Sequence, residues 1–254
     1  MQPRDRLREA LVSTHGPALV AFITAGYPEP KEFLSVLAKV AEAADAIEVG
    51  VPFSDPMADG VTIQRSSQQA LESGVSLRWI LDRLASRDFE LSVPVLLMSY
   101  LNPLLAFGYE ALAQRAAEVG ISGFIVPDLP YEESEPLRDA FGPHGLALVQ
   151  FVTPATPPER LHKLCKASEG FVYAVTRTGI TGEADLPAEL AQYLSAVKAA
   201  SEVPVCAGFG VRTPEQVQSI ASCADGVIVG SALVEVLERG DNPIEFLRGL
   251  RPLP

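Results

Sequence analysis

The sequence predicts an α/β protein of the closed (β/α)8-barrel, or TIM-barrel, class. Short apolar segments alternate with helical patterns about eight times along the chain. The apolar segments are nearly continuous, which is typical of parallel strands that are buried on both faces. A chain of 254 residues is close to the usual size of such a barrel. Because no linker or change of composition divides it, we expect a single domain over residues 1–254.

An open, doubly wound sheet is the structural alternative. Its dinucleotide-binding form carries the pattern G-x-G-x-x-G in the turn after the first strand. The corresponding turn here reads Thr24-Ala-Gly-Tyr-Pro28 and lacks that pattern. The sequence therefore favours the closed barrel.

Glycine and proline delimit the elements of the first half of the chain. The apolar segment 18–24 predicts the first strand, which Gly26 and Pro28 end. Gly74 divides one long helical pattern into two, and Gly120 ends another. On this basis we expect strands at 18–24, 46–50, 95–99 and 123–126, and helices at 3–12, 31–43, 61–73, 76–86 and 109–119.

The second half of the chain continues the same alternation. Pro157 and Pro158 suit the first turn of a helix. Helices 3–12 and 242–250 fall outside the repeat, and we expect the first to lie under the floor of the barrel and the second to close it. Strands are expected at 146–151, 171–175, 205–207 and 226–229, and helices at 132–140, 157–167, 186–200, 213–222, 231–237 and 242–250.

Charge and cysteine content restrict the partners and the compartment. A net charge of −12 disfavours nucleic acid and anionic membrane surfaces as partners, and it requires local groups to hold any phosphate. No apolar segment approaches the length of a membrane span, and no signal core follows the N-terminus. Cys165, Cys206 and Cys223 have no paired spacing, so we expect reduced thiols and a cytoplasmic location.

The densest group of candidate catalytic residues lies in residues 47–60. Glu48 is inside a buried strand, where an unpaired charge is costly, and Asp55 and Asp59 follow on a turn-rich loop. Carboxylates at the C-terminal end of a barrel strand suggest acid/base catalysis. The structural alternative is a hydrogen-bonded Glu48, an Asx turn at Asp55, and Asp59 as the N-cap of the helix from Val61.

Other polar residues at strand ends are weaker candidates, because each of them has an ordinary structural explanation. Tyrosines bury their rings and hydrate their hydroxyls, and an aspartate often caps a helix. This group comprises Thr24, Tyr100, Asp128, Tyr173 and Thr181.

Two glycine motifs follow the last two predicted strands. Gly208-Phe-Gly210 follows the seventh strand, and Gly230-Ser231 follows the eighth and starts a helix. Barrels often bind phosphate at these positions through backbone N–H groups. The alternative is a pair of ordinary turns, but two such motifs at these positions favour a phosphate site.

The distribution of basic residues narrows the mechanism. All five lysines fall in predicted helices, so none offers a Schiff base at a strand end. The three histidines are scattered, without the spacing of metal ligands. We therefore expect carboxylate chemistry on a phosphorylated substrate, with no metal and no covalent intermediate.

Several segments together resemble the tryptophan synthase α-subunit family. Residues 47–60 match its signature along their length, and the resemblance covers essentially the whole chain. The departures are Tyr27 after Gly26, Pro103 after Asn102, and the proline-rich segment 153–158, which leave local loop shape open. The other similar segments, in order, are 22–24, 123–130, 173–182, 208–210 and 230–232.

The resemblance implies retro-aldol cleavage of indole-3-glycerol phosphate to indole and glyceraldehyde 3-phosphate. Glu48 would move the protons, and Asp59 would accept a hydrogen bond from the indole N–H. The implied substrate contacts are Phe22, Thr24, Tyr100, Tyr173, Thr181 and Phe209, and the implied phosphate contacts are Gly182, Gly210, Gly230 and Ser231.

The resemblance also implies a partner, a β subunit that carries pyridoxal phosphate and forms an α2β2 heterotetramer, while this chain holds no cofactor. The contact loop would include Pro52 and Asp55.

The polar segment 176–185 is long for a barrel loop, and we expect it to be a lid in which the Thr181 hydroxyl forms a hydrogen bond with Asp59. The alternatives are a free-standing indole-releasing lyase, an indole-glycerol-phosphate synthase or sugar-phosphate isomerase, and an inactive regulatory barrel.

Overall fold

A computed structural model, described for residues 1–14, 16–176, 186–208 and 210–251, shows a closed barrel of eight parallel strands in chain order. β1 pairs with both β2 and β8, which closes the barrel and confirms the predicted fold class. The strands are β1 (Ala18–Thr24), β2 (Ala46–Gly50), β3 (Val95–Met98), β4 (Gly123–Ile125), β5 (Ala147–Val152), β6 (Val172–Val175), β7 (Val205–Gly208) and β8 (Gly226–Val229).

Helices follow the strands and cover the outside of the barrel. Their apolar faces pack with the outer faces of the strands into one large core. They are α1 (Pro3–Val12), α2 (Phe33–Ala41), α3 (Val61–Glu72), α4 (Leu77–Ala85), α5 (Leu101–Phe107), α6 (Tyr109–Glu118), α7 (Glu135–Phe141), α8 (Pro158–Ala167), α9 (Ala188–Ala200), α10 (Pro214–Ile220), α11 (Ser231–Glu238) and α12 (Pro243–Leu250).

The two helices outside the repeat, α1 and α12, pack against the barrel as the sequence predicts. Leu7 and Leu11 of α1 are buried against the lower inner residues of the barrel, among them Ala18 and Phe171, so α1 covers the floor. α12 packs against α2, α10 and α11 on the outside. Both helices therefore cover apolar surface that the eight repeats leave exposed.

Most boundaries lie within one or two residues of the prediction, and two differences are larger. The predicted helix 132–140 is a 3-10 turn (Tyr131–Glu133) followed by α7, because Pro136 is tolerated only in a first helical turn. Helix α5 was not predicted. The carboxylate of Asp128 accepts a hydrogen bond from Leu101 N–H at its start (2.9 Å), and Gly108, with φ of +90°, ends it.

No helix within the described ranges is long and apolar enough to cross a membrane. The three cysteines are buried and unpaired, as the sequence predicts. All five lysines lie in α-helices or in the short 3-10 turn Pro30–Glu32, so the prediction that none stands at a strand end is confirmed.

Candidate active site

Glu48 is a fully buried carboxyl group inside the barrel. It lies on β2 beside Phe22 of β1 and Leu96 of β3 in the strand register. Ala46, two residues earlier on the same face of β2, packs with Leu96 in the cluster of residues inside the barrel. Burial, and after it the charge of Glu48, raises the pKa of Tyr173 on β6, on the opposite side of the barrel. The carboxyl group therefore points into the interior rather than towards the helices.

Neither carboxyl oxygen of Glu48 has a hydrogen-bond partner among the described residues. The described residues therefore contradict the structural alternative, in which hydrogen bonds satisfy the buried Glu48 carboxyl group. Burial, and to a smaller extent the charge of Asp59, raises the pKa of Glu48 from 4.5 to about 8. At neutral pH this carboxyl group holds a proton, and it is available to give that proton to a ligand.

Asp59 supplies the second carboxylate from the loop between β2 and α3. Burial raises its pKa from 3.8 to about 6, against a lowering effect of the hydrogen bond from the Tyr100 hydroxyl (3.3 Å). Gly60, without a side-chain cap, is the N-cap of α3, so the alternative in which Asp59 caps that helix is wrong. One carboxyl group is thus protonated and the other ionised at neutral pH.

Aromatic side chains surround this pair of carboxyl groups. Phe22 lies over Gly50, where an added Cβ would fall 2.5 Å from the ring, and Tyr173 lies in the same way over Gly208. Tyr173 also packs against Phe151, with 4.7 Å between ring centroids. The two glycines are therefore needed because rings occupy the space of their side chains, and sequence reasoning had assigned neither of them this role.

Two of the polar candidates are engaged in structural hydrogen bonds. The Thr24 hydroxyl is 2.6 Å from that of Ser66, and both are buried, so this contact joins β1 to α3. Asp128 holds the start of α5, as its structural explanation requires. A role for Thr24 in substrate binding stays a prediction.

The loops after β7 and β8 offer space for an anion. Gly230 is the N-cap of α11, and the helix begins at Ser231. Among the described residues, an added Cβ would meet nothing within 4 Å at Gly210 and only Phe22, at 3.8 Å, at Gly230, so these residues leave space beside both positions. The N–H groups at the start of α11 and the dipole of its first turn favour a phosphate there.

The one arginine of these loops, Arg212, already has a partner. Its two terminal nitrogens donate to the carboxylate of Glu235 on α11 at 2.7 and 2.9 Å. A phosphate held here would therefore rely on backbone N–H groups rather than on a free guanidinium.

The predicted partner loop is exposed at its tip. Asp55 is exposed and accepts a hydrogen bond from the Ser54 hydroxyl (2.5 Å), while Pro52 is buried at the base of the loop. Met57 is 85% exposed and Val61 is 77% exposed, an apolar feature that sequence reasoning missed. Exposed apolar side chains beside a carboxylate suit a protein contact.

Three predicted site residues, Thr181, Gly182 and Phe209, lie outside the described residues, as does the predicted lid apart from Thr176. Within the described ranges, no group of three or more histidine, cysteine, aspartate or glutamate side chains could hold a metal ion.

Comparison with known proteins identifies relatives over most of the chain. Residues 9–249 match the model of the family described as tryptophan synthase alpha chain. The tryptophan synthase alpha chain of Nitratidesulfovibrio vulgaris (strain DP4) is 42% identical over 245 residues, covering 96% of this chain and 95% of that protein. That of Carboxydothermus hydrogenoformans is 47% identical over 223 residues, covering 87% and 84%.

Solved structures give the same result. Tryptophan synthase subunit alpha from Legionella pneumophila superposes with a TM-score of 0.87 at 34% identity, covering 99% of this chain and 97% of that one. A chain of tryptophan synthase from M. tuberculosis, in an open form with BRD0059 bound, has a TM-score of 0.87 at 34% identity, covering 98% and 97%.

Proposed function

The chain belongs to the tryptophan synthase alpha chain family, and from that premise we propose that it cleaves indole-3-glycerol phosphate to indole and glyceraldehyde 3-phosphate. It is then a carbon–carbon lyase of tryptophan biosynthesis. The observation that carries this proposal is the buried carboxyl group of Glu48, which has no hydrogen-bond partner among the described residues, beside an ionised Asp59. Burying the Glu48 carboxyl group without a hydrogen-bond partner among the described residues costs free energy, and proton transfer to a bound ligand explains why it is buried there.

The two carboxyl groups divide the chemistry between them. Glu48 gives its proton to carbon 3 of the indole ring, so that the ring can take up the electrons of the breaking C–C bond. The resulting Glu48 carboxylate takes the proton of the side-chain hydroxyl, whose oxygen becomes the aldehyde carbonyl, and Glu48 ends in its starting form. Asp59, ionised above about pH 6, accepts a hydrogen bond from the indole N–H and stabilises the cationic ring.

The remaining site residues bind the substrate. Phe22, Tyr100 and Phe209 line the indole, and Tyr173 stands beside Glu48 and the glycerol chain. The phosphate lies on the N–H groups at the start of α11, with Gly230 and Ser231. Gly182, Gly210, Thr24 and Thr181 complete the proposed set.

The proposal extends to a partner. The exposed loop that carries Asp55 and Met57 docks on a β subunit that holds pyridoxal phosphate, while this chain needs no cofactor. The same loop carries Asp59, so binding of the β subunit to the loop can change the position of this catalytic group directly. We include in the proposal an α2β2 assembly, a cytoplasmic location, and a single domain over residues 1–254.

The test is indole release from indole-3-glycerol phosphate by the purified chain, with and without β subunit. We expect slow release by the chain alone and stimulation by the β subunit. A free-standing lyase would release indole without any response to a β subunit. Release by neither preparation would leave the inactive regulatory barrel as the better explanation, although the presence of both carboxylates favours the enzyme.

A further inference from the structure

We propose that Tyr100 is a positioning residue for this reaction, and that its hydroxyl sets where Asp59 stands. The inference goes beyond the lining of the indole pocket and rests on the proposed function. It starts from the contacts of the loop that carries Asp59, residues 51–60, hereafter the Asp59 loop.

Tyr100 itself is held by the barrel wall, not by the Asp59 loop. The N–H of Ser99 donates to the carbonyl of Ile125 on β4 at 3.0 Å, and the N–H of Leu101 donates to the Asp128 carboxylate at 2.9 Å. The Tyr100 side chain is almost fully buried, at 4% exposure. Its hydroxyl is therefore a fixed point at the end of β3.

From this fixed point Tyr100 contacts the Asp59 loop three times. Its hydroxyl oxygen accepts a hydrogen bond from the N–H of Ala58 (2.9 Å), and its proton is donated to the Asp59 carboxylate (3.3 Å). Its ring stacks on Phe53, with 4.9 Å between centroids. Burial raises the pKa of Tyr100 to about 12, so the phenol keeps the proton that it donates.

Few other bonds hold this loop. At the start of the loop, the N–H of Val51 donates to the carbonyl of Met98 on β3 at 2.8 Å. From residue 52 to residue 60, the hydrogen bonds of described residues that do not involve Tyr100 stay within the loop or join it to Gln64 of α3. Most of the loop tip is exposed. Among the described residues, the Tyr100 hydroxyl thus makes the only hydrogen bonds from this stretch to the barrel wall, and Asp59 depends on it for its position.

Tyr100→Phe tests the role, because it removes the hydroxyl and keeps the ring that stacks on Phe53. We expect kcat to fall on the order of tenfold with little change in KM, as for the loss of a hydrogen bond to a charged group. In an Asp59→Asn background the same change should cause no further fall, because the two side chains act as one unit. Tyr193→Phe is the matched control, since the Tyr193 hydroxyl is buried on α9 without a hydrogen-bond partner among the described residues.

A second measurement does not depend on catalysis. Carbon-13 NMR of labelled aspartate carboxyl groups, with Asp59→Asn identifying the signal, follows the titration of Asp59. Loss of the donated hydrogen bond should raise the pKa of Asp59 in Tyr100→Phe, because that bond favours the ionised form. The described titratable groups that act on Asp59 or Tyr100 are Glu48, Tyr173 and Asp128, so the titration is repeated in a Glu48→Gln background to remove the coupling between the Glu48 and Asp59 carboxyl groups.

The two readouts separate the two proposals. An unchanged Asp59 titration in Tyr100→Phe overturns the positioning role, whatever the activity. An additive fall of kcat in the double variant also overturns it, because Tyr100 would then act independently of Asp59. Absence of cleavage by the unmodified chain overturns the proposed function, and the titration still decides on Tyr100.

Discussion

Replacing Glu48 with glutamine should damage catalysis and stabilise the fold at the same time. Loss of a general acid/base costs roughly 10²- to 10⁴-fold in rate, so Glu48→Gln should nearly abolish cleavage. The effect on stability follows from the burial of Glu48 with no partner among the described residues. A neutral amide avoids both an ionised group at that position and the uptake of a proton on folding that keeps Glu48 neutral.

The pH dependence of this stability difference can be worked from the structure. The folded-state pKa of Glu48 is about 8 and its ordinary value is 4.5. Because the folded value is the higher one, the stability that Glu48 contributes is fully present below pH 4.5 and is lost as the pH rises to about 8. Between about pH 5 and about pH 9 the loss is on the order of 4 kcal/mol, at about 1.4 kcal/mol for each tenfold difference in proton affinity.

Urea unfolding of wild type and Glu48→Gln at those two pH values measures the effect. The variant should gain about 4 kcal/mol relative to wild type on going from the lower to the higher pH, or roughly 10 °C in melting temperature for a chain of this size. Groups that do not interact with Glu48 titrate in the same way in both proteins, so their contributions cancel. Glu90→Gln, in an exposed loop, is the control and should follow wild type. A Glu48→Gln variant that also follows wild type would refute the desolvation argument, and near-normal kcat would make Glu48 a structural carboxyl group.

Three further predictions address the rest of the site. Asp59→Asn should lower kcat far more than it changes KM, since it removes a charge that acts mainly in the transition state; a change confined to KM in steady-state assays would contradict this. The pH profile of kcat/KM should rise through about 6, as Asp59 ionises, and fall through about 8, as Glu48 loses its proton; a profile without these limbs would contradict the assignment. Gly230→Val should weaken binding of inorganic phosphate in calorimetry with little loss of thermal stability, because the nearest atom of the described residues to an added Cβ is on Phe22, at 3.8 Å; unchanged affinity would place the phosphate elsewhere.

The fold was largely readable from the sequence because its evidence is local. Continuous apolar segments and helical spacing depend on neighbouring residues, and all eight strands were found within a few residues of their ends. Helix α5 was missed because part of what starts it is distant. The carboxylate that bonds its first N–H belongs to Asp128, 27 residues further along the chain, and Pro103 obscured the helical pattern.

By itself the sequence determined the class of barrel and predicted the kind of chemistry, namely two carboxylates, on the second strand and on the loop after it, together with two glycine motifs. Only the tertiary structure decided how deeply each carboxylate is buried and which groups form hydrogen bonds with it. It left Glu48 without a partner among the described residues, set Asp59 against Tyr100, and bonded the Thr24 hydroxyl to Ser66. The physical reason is that desolvation and hydrogen bonding depend on groups from different strands and loops, which the spacing of residues along one segment does not record.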